Sequence, residues 1–111
     1  MRLQAKLKRI RDVLNGTSAR GRIGHYRKPT SVKPSYIVWA EDGEDQAFQG
    51  DNRKAEMQVT GTIDCYTQTE YDQLLDEVQE ALTADGISWI LESVQYEDET
   101  KLIHYEWRFT L

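Results

Sequence analysis

One cysteine, Cys65, stands in 111 residues. An internal disulfide framework is therefore excluded, and nothing argues for an oxidising compartment. Inside a run of alternating apolar and polar residues, that cysteine reads as a small buried side chain rather than a nucleophile. No apolar run approaches the roughly 20 residues that cross a bilayer. The opening Met1-Arg2-Leu3-Gln4-Ala5-Lys6 lacks the apolar core of a signal peptide, so a cytoplasmic protein with no membrane partner is expected. Motifs of catalysis are missing as well. His25 and His104 have no Cys, His or Asp companions at metal-ligand spacing. Gly16, Gly21 and Gly24 lie among arginines without the strand-then-helix setting of a phosphate loop. Asp42-x-Glu44-Asp45 lacks the order and the closing glutamate of a calcium loop. The chain is expected to be no enzyme, with no catalytic residues, no metal and no cofactor.

Basic residues are also scarce, but only after Pro34. Residues 1–34 carry ten Lys/Arg against one acid, Asp12, for a net of +9. Residues 35–111 carry four Lys/Arg against eighteen acids, a net of −14, and the two together give the formal −5. Like charges crowded on one segment repel, and a partner of opposite sign relieves the cost. Copies of this chain arranged head to tail would supply that partner. Nucleic acid would supply it for the basic part alone.

With 39% apolar and 30% charged residues, the chain reads as one folded domain with a modest core. Leu3, Leu7, Ile10 and Leu14 form one stripe of a helix over residues 2–15, with Arg2, Lys6 and Arg9 on its other faces and Asn15-Gly16 as its stop. Residues 17–34 show no periodicity and read as a basic loop. Strands are expected at 35–40, 56–67, 87–96 and 102–111. The second alternates Met57, Val59, Ile63 and Cys65 against Gln58, Thr60, Thr62 and Asp64, with Gly61 marking a bulge or a close backbone approach. The third changes phase between Leu91 and Val94. The fourth alternates Ile103, Tyr105, Trp107, Phe109 and Leu111 against His104, Glu106, Arg108 and Thr110. Residues 97–101 suit a hairpin link.

A second helix is expected over about 68–84. Its stripe is Tyr71, Leu74, Leu75, Val78, Ala81 and Leu82, Thr67 or Thr69 caps it, and Asp85-Gly86 ends it. Its outer face carries Asp76, Glu77 and Glu80. The order α-β-β-α-β-β predicts an α+β fold: a mostly antiparallel four-stranded sheet with two helices on one face. The strand–helix–strand step between 56–67 and 87–96 allows one parallel neighbour pair. Trp39, Trp89 and Trp107 are expected in the sheet and core.

Residues 41–55 are long for a link between strands. Their five acids, Glu41, Asp42, Glu44, Asp45 and Asp51, and their aromatic Phe48 read either as a solvated, disordered loop or as a projecting arm that orders against a neighbouring subunit. Arg20-Gly21-Arg22 and Tyr26-Arg27-Lys28 also mix cations with an aromatic, as a nucleic-acid contact would. Against that reading, the remaining net −14 repels phosphate over about one Debye length, roughly 8 Å. A stand-alone regulatory or ligand-binding α+β domain is the third class, and would contain a pocket.

Several local phrases carry a resemblance. They are Tyr36-Ile37-Val38-Trp39 before an acidic stretch, Asp51-Asn52 before the second strand, and Thr60-Gly61-Thr62-Ile63-Asp64-Cys65-Tyr66-Thr67 leading into the second helix. The close is Tyr96-Glu97-Asp98-Glu99-Thr100 followed by His104-Tyr105-Glu106-Trp107-Arg108-Phe109. Together they resemble the tail-terminator (tail-completion, head–tail joining) proteins of long-tailed bacteriophages and prophages. The resemblance implies a ring, in that family usually a hexamer, that caps the tail tube, ends its elongation and docks the head connector. Its partners would be copies of itself, the major tail tube protein and the head-completion protein. DNA would pass through the lumen without specific binding. The protein would move from host cytoplasm to virion tail. On this reading Arg20, Arg22, Arg27 and Lys28 make subunit or tube contacts, and the 41–55 arm reaches a neighbour. Asp76, Glu77 and Glu80 then face the lumen or the adjacent subunit.

Overall fold

In the computed structural model, which describes residues 3–45 and 57–111, the apolar stripes close on one another as an α+β unit. Helix α1 (Leu3–Asn15) turns Ile10 and Leu14 fully inward, with Leu7 and Val13 beside them. Lys6, expected on an outer face, is buried instead. Its ammonium donates to the carbonyls of Met57 (2.5 Å) and Leu111 (3.0 Å), tying the helix to one end of the sheet. The long aliphatic stem suits an apolar surrounding, provided the charged head finds acceptors.

Helix α2 (Gln73–Ala84) starts later than its stripe suggests. Asp72 is the N-cap: one carboxylate oxygen accepts from Leu74 N (2.9 Å), and the other accepts from the Thr67 hydroxyl (2.6 Å). Thr67 therefore supports the cap rather than forming it. Residues 68–72 make a turn in which Tyr71 has φ +61° and is 88% exposed, so it leaves the expected stripe. Leu74, Val78 and Leu82 keep their inward places. The helix ends at Asp85-Gly86 as expected, with Gly86 at φ +74° and Ile87 N donating to Leu82 O.

Among the described residues the sheet has five strands rather than four, in the spatial order β1-β2-β3-β5-β4. Strands β2 (Ser35–Glu44), β3 (Val59–Thr67), β4 (Ser88–Glu97) and β5 (Leu102–Thr110) correspond to the four expected runs. The addition is β1 (Ile23–His25), three residues inside the expected loop, parallel to β2. All other neighbours are antiparallel. The parallel pair that the strand–helix–strand step allows around α2 does not form, since β5 lies between β3 and β4. The β4–β5 hairpin folds so that β5 lies between β3 and β4, because β5 carries the face that must be most buried: Trp107 and Phe109 are at most 1% exposed.

Ile37, Trp39, Ile63, Cys65, Trp107 and Phe109 join Ile10, Leu14, Leu74, Val78 and Leu82 in one apolar cluster. Gly61 sits at its margin as a close approach: a Cβ there would lie 2.3 Å from Ala40 O and 2.6 Å from the Phe109 ring. The bulge itself is opposite, at Asp42, between the pairs Glu41↔Gly61 and Gly43↔Thr60. The phase change in β4 is a second bulge, at Glu92, which keeps Leu91, Val94 and Tyr96 on one face of the sheet. The expected arm is in part strand, since Glu41–Glu44 pair with β3. Phe48 and the rest of the 46–56 stretch lie outside the described residues.

Candidate functional site on the edges and open face of the sheet

The topology places the basic segment 16–34 at one edge of the sheet, beside the acids that end β2, and the acidic β4 with its turn at the other. The first edge is β1 with its flanking segments. Residues 16–34 carry Arg20, Arg22, Arg27, Lys28 and Lys33 and no acid. Arg20, Arg27 and Lys28 are exposed. Arg22 works inside the chain, donating to Ser35 O (2.6 Å) and Ser18 O (3.2 Å), and so pins the segment to the start of β2. At the end of β1, the His25 ring lies between Trp39 (3.8 Å) and Tyr26 (3.9 Å), both stacked. Tyr26 takes φ +71° to stack there, and both His25 Nε2 (2.7 Å) and the Tyr26 hydroxyl bond to the Glu41 carboxylate. Burial pushes the Glu41 carboxyl up, but the bonds from Tyr26 and His25 outweigh it and hold the group below its usual range.

The second edge is β4. It carries Glu92 and Glu97, and the turn beyond adds Asp98 and Glu99 with only Lys101 as counter-charge. Ile90, Leu91, Val94 and Tyr96 are exposed along it.

Between the edges runs the face away from the helices. Register aligns Tyr36 with Tyr66 and Tyr66 with His104, and their rings stack at 4.7 and 4.2 Å. Lys28 Nζ lies 5.7 Å from the Tyr36 ring centroid, a cation–π contact. At the other end His104 Nε2 meets Asp64 (2.7 Å), with Glu97 3.6 Å from its other ring nitrogen. Asp42 closes this face near β3, accepting from Arg108 (3.0 and 3.1 Å) and Thr60 (2.9 Å). Burial, then the Asp64 charge, push the Tyr66 phenol up to about 12.

No protein-family model matches this sequence, and no curated protein does. The assignment of a role rests on the geometry.

The expected site residues fall into three groups. Arg20, Arg27 and Lys28 share one edge. Glu41 and Asp42 are committed within the sheet, and Glu44 and Asp45 lie half-buried where β2 ends, Asp45 N donating to Gln58 O (2.8 Å). On α2, Asp76 and Glu80 are exposed, whereas Glu77 accepts from Ser18 N (2.8 Å) and anchors the basic segment. Among the described residues no ion pair joins Arg20, Arg27 or Lys28 to these acids; Glu41 and Glu77 meet the basic segment at His25, Tyr26 and Ser18 N instead. Of the ring ladder, alternation in the sequence assigns only His104 to an outer face; Tyr36 and Tyr66 join it through the register of β2, β3 and β5. The His25–Tyr26–Glu41 cluster had no sequence signal, because β1 was too short to read.

Cys65 is fully buried, and burial, then the Asp72 charge, push its thiol up to about 12. With the Tyr66 phenol also raised, the folded chain holds these protons more tightly than the unfolded one. Their stabilising contribution is complete below about pH 9, the thiol's ordinary value, and is lost as pH rises toward about 12. Urea midpoints are expected to fall across that range. Tyr66→Phe is expected to flatten the upper part of the decline; an unchanged pH profile would contradict it.

Proposed function

We propose that this chain is a structural protein of a phage or prophage tail, which closes into a ring, caps the tail tube and offers a docking face to the head connector. The observation that carries the reading is the opposition of charge across one sheet: a basic β1 edge and an acidic β4 edge on the same molecule. Head-to-tail repetition sets each basic edge against the next copy's acidic edge, and such a heterologous contact closes into a ring. Asp76 and Glu80 would give the lumen or the neighbouring subunit an acidic surface, which repels the DNA backbone and keeps it sliding. Host cytoplasm during assembly and the virion tail afterwards follow as its locations. Among the described residues no helix is long and apolar enough to cross a membrane.

The alternative, a nucleic-acid-binding domain using residues 2–34, has less support. Lys6 is buried, Arg9 is paired with Asp85 (2.5 Å), and Arg22 is engaged by backbone carbonyls. Fewer cations are left for phosphate than the count of ten suggests.

Negative-stain images of the purified protein are expected to show rings with an open centre. Gel retardation of duplex DNA is expected to be absent at physiological salt. Retardation with a steep salt dependence, and no rings, would replace this reading with the nucleic-acid one.

A further inference from the structure

Among the described residues strand β4 is the end of the sheet, ten residues long, and paired on one side only, to β5. Long free edges are normally blunted by shortness, proline, charge or a covering element. This one has no proline; its guards are Glu92 and Glu97 and the bulge at Glu92, which disfavour a partner of like sign. Trp89, at its beginning, is half-buried and donates to Thr83 of α2 (2.9 Å). Beyond it the helices give little cover to Leu91, Val94 and Tyr96, which are 43, 51 and 58% exposed, and Ile90 on the open face is 61% exposed. They are four of the seven large apolar residues exposed among the described residues, so exposed apolar surface is concentrated on this strand. Such a concentration marks an interaction surface.

The opposite edge is also incomplete. Strand β1 covers β2 only from Ile37 to Trp39, and Ala40–Glu44 extend past it.

We infer that the β4 edge is the subunit seam: the β1–β2 edge of a second copy lies along it, so that the sheet continues from one copy into the next. The inference rests on the ring reading and specifies its interface. Strand direction supports it. Strands β1, β2 and β5 run one way, and β3 and β4 the other. Rotation about an axis along the strands preserves direction, so β4 meets the next β1 antiparallel, the better-bonded arrangement.

Level supports it too. Across the sheet, Ile23 aligns through Ile37, Cys65 and Tyr105 with Val94, and His25 through Trp39, Ile63 and Trp107 with Leu91. Without any axial slide, β1 of one copy therefore reaches the apolar middle of β4 in the other. Lys28, at the level of Tyr36, reaches that of Gln95, close to Glu97. The competing occupant is β4 of another copy across a two-fold axis. That arrangement joins two edges of the same sign, each carrying Glu92 and Glu97 with Asp98 and Glu99 beyond, and the repulsion disfavours it.

Cysteine cross-linking separates the arrangements, since buried Cys65 does not compete for the reagent. The double variant Arg27→Cys/Gln95→Cys, treated with a short bis-maleimide, is expected to give a ladder of dimer, trimer and higher species. Gln95→Cys alone is expected to stay uncross-linked. Dimers from that single variant would establish the two-fold pairing and overturn the inference. Native mass spectrometry of the same samples separates the two levels of the account. An oligomer without a ladder overturns the seam and leaves the ring reading standing, whereas no oligomer overturns both. As a second variant, Val94→Lys is expected to weaken assembly at least about tenfold while the urea midpoint of the monomer stays within error of the parent.

Discussion

Gly61→Ala is expected to lower the stability of the fold by about 3 kcal/mol, near the upper end for an inserted methyl that its surroundings resist. The added Cβ meets the Ala40 carbonyl at 2.3 Å, and that oxygen belongs to the backbone of the adjacent strand, which cannot step aside without breaking the β2–β3 ladder. The Phe109 ring, at 2.6 Å, is fully buried and has no free volume to turn into. A domain of this size has a total stability of roughly 5–15 kcal/mol. The expected fall in melting temperature is roughly 10–20 °C, readable by circular dichroism. Phe109→Leu should relieve one of the two clashes and not the other. The double variant is then expected to lose less than the sum of the single losses, a coupling that contact between the sites predicts. A melting temperature unchanged by Gly61→Ala would show that β2, β3 and β5 do not pack as described.

The second large effect concerns assembly. Arg27→Glu/Lys28→Glu reverses the exposed charges of the β1 edge, and Glu97→Lys/Asp98→Lys reverses those of the β4 edge. Each double variant alone sets like charges across every seam. Rim pairs are worth about 0.2–1 kcal/mol each, so one seam weakens by roughly tenfold, and a closed ring compounds the loss over all its seams. Combining the four changes restores opposite signs with the polarity inverted, and assembly is expected to recover. Recovery in the quadruple variant distinguishes a charge-matched interface from simple damage to the fold. Assembly indifferent to all three variants would remove the charge argument.

Periodicity made most of the framework legible. The i, i+3, i+4 stripes located Ile10, Leu14, Leu74, Val78 and Leu82, and the period of two located Ile63, Cys65, Trp107 and Phe109, all of them buried. A phase change inside 87–96 was the mark of the Glu92 bulge, since an extra residue is what returns Val94 and Tyr96 to the face of Leu91. What stayed hidden depends on contacts distant in sequence. Strand β1 is three residues with a glycine at its centre and exists because β2 offers it an edge. Lys6 follows the helical polar pattern and is drawn inward by two carbonyls that only the closed fold supplies. Helix α2 begins at Asp72 rather than near Gln68 because Thr67 orients the cap, a competition between neighbouring capping residues that propensity does not resolve. For the candidate site, the split of charge was plain in the sequence. That the two signs end on opposite edges of one sheet required the strand order, and no local pattern contains it.

On the reading proposed above, copies of this chain join basic edge to acidic edge in a closed ring. Native mass spectrometry of the purified protein, over a concentration series at low salt and at 0.5 M salt, tests it most directly. The account predicts one discrete oligomer, independent of further increases in concentration once formed and weakened by the higher salt as the edge charges are screened. A monomer at every concentration, or an open-ended series of sizes indifferent to salt, would contradict it.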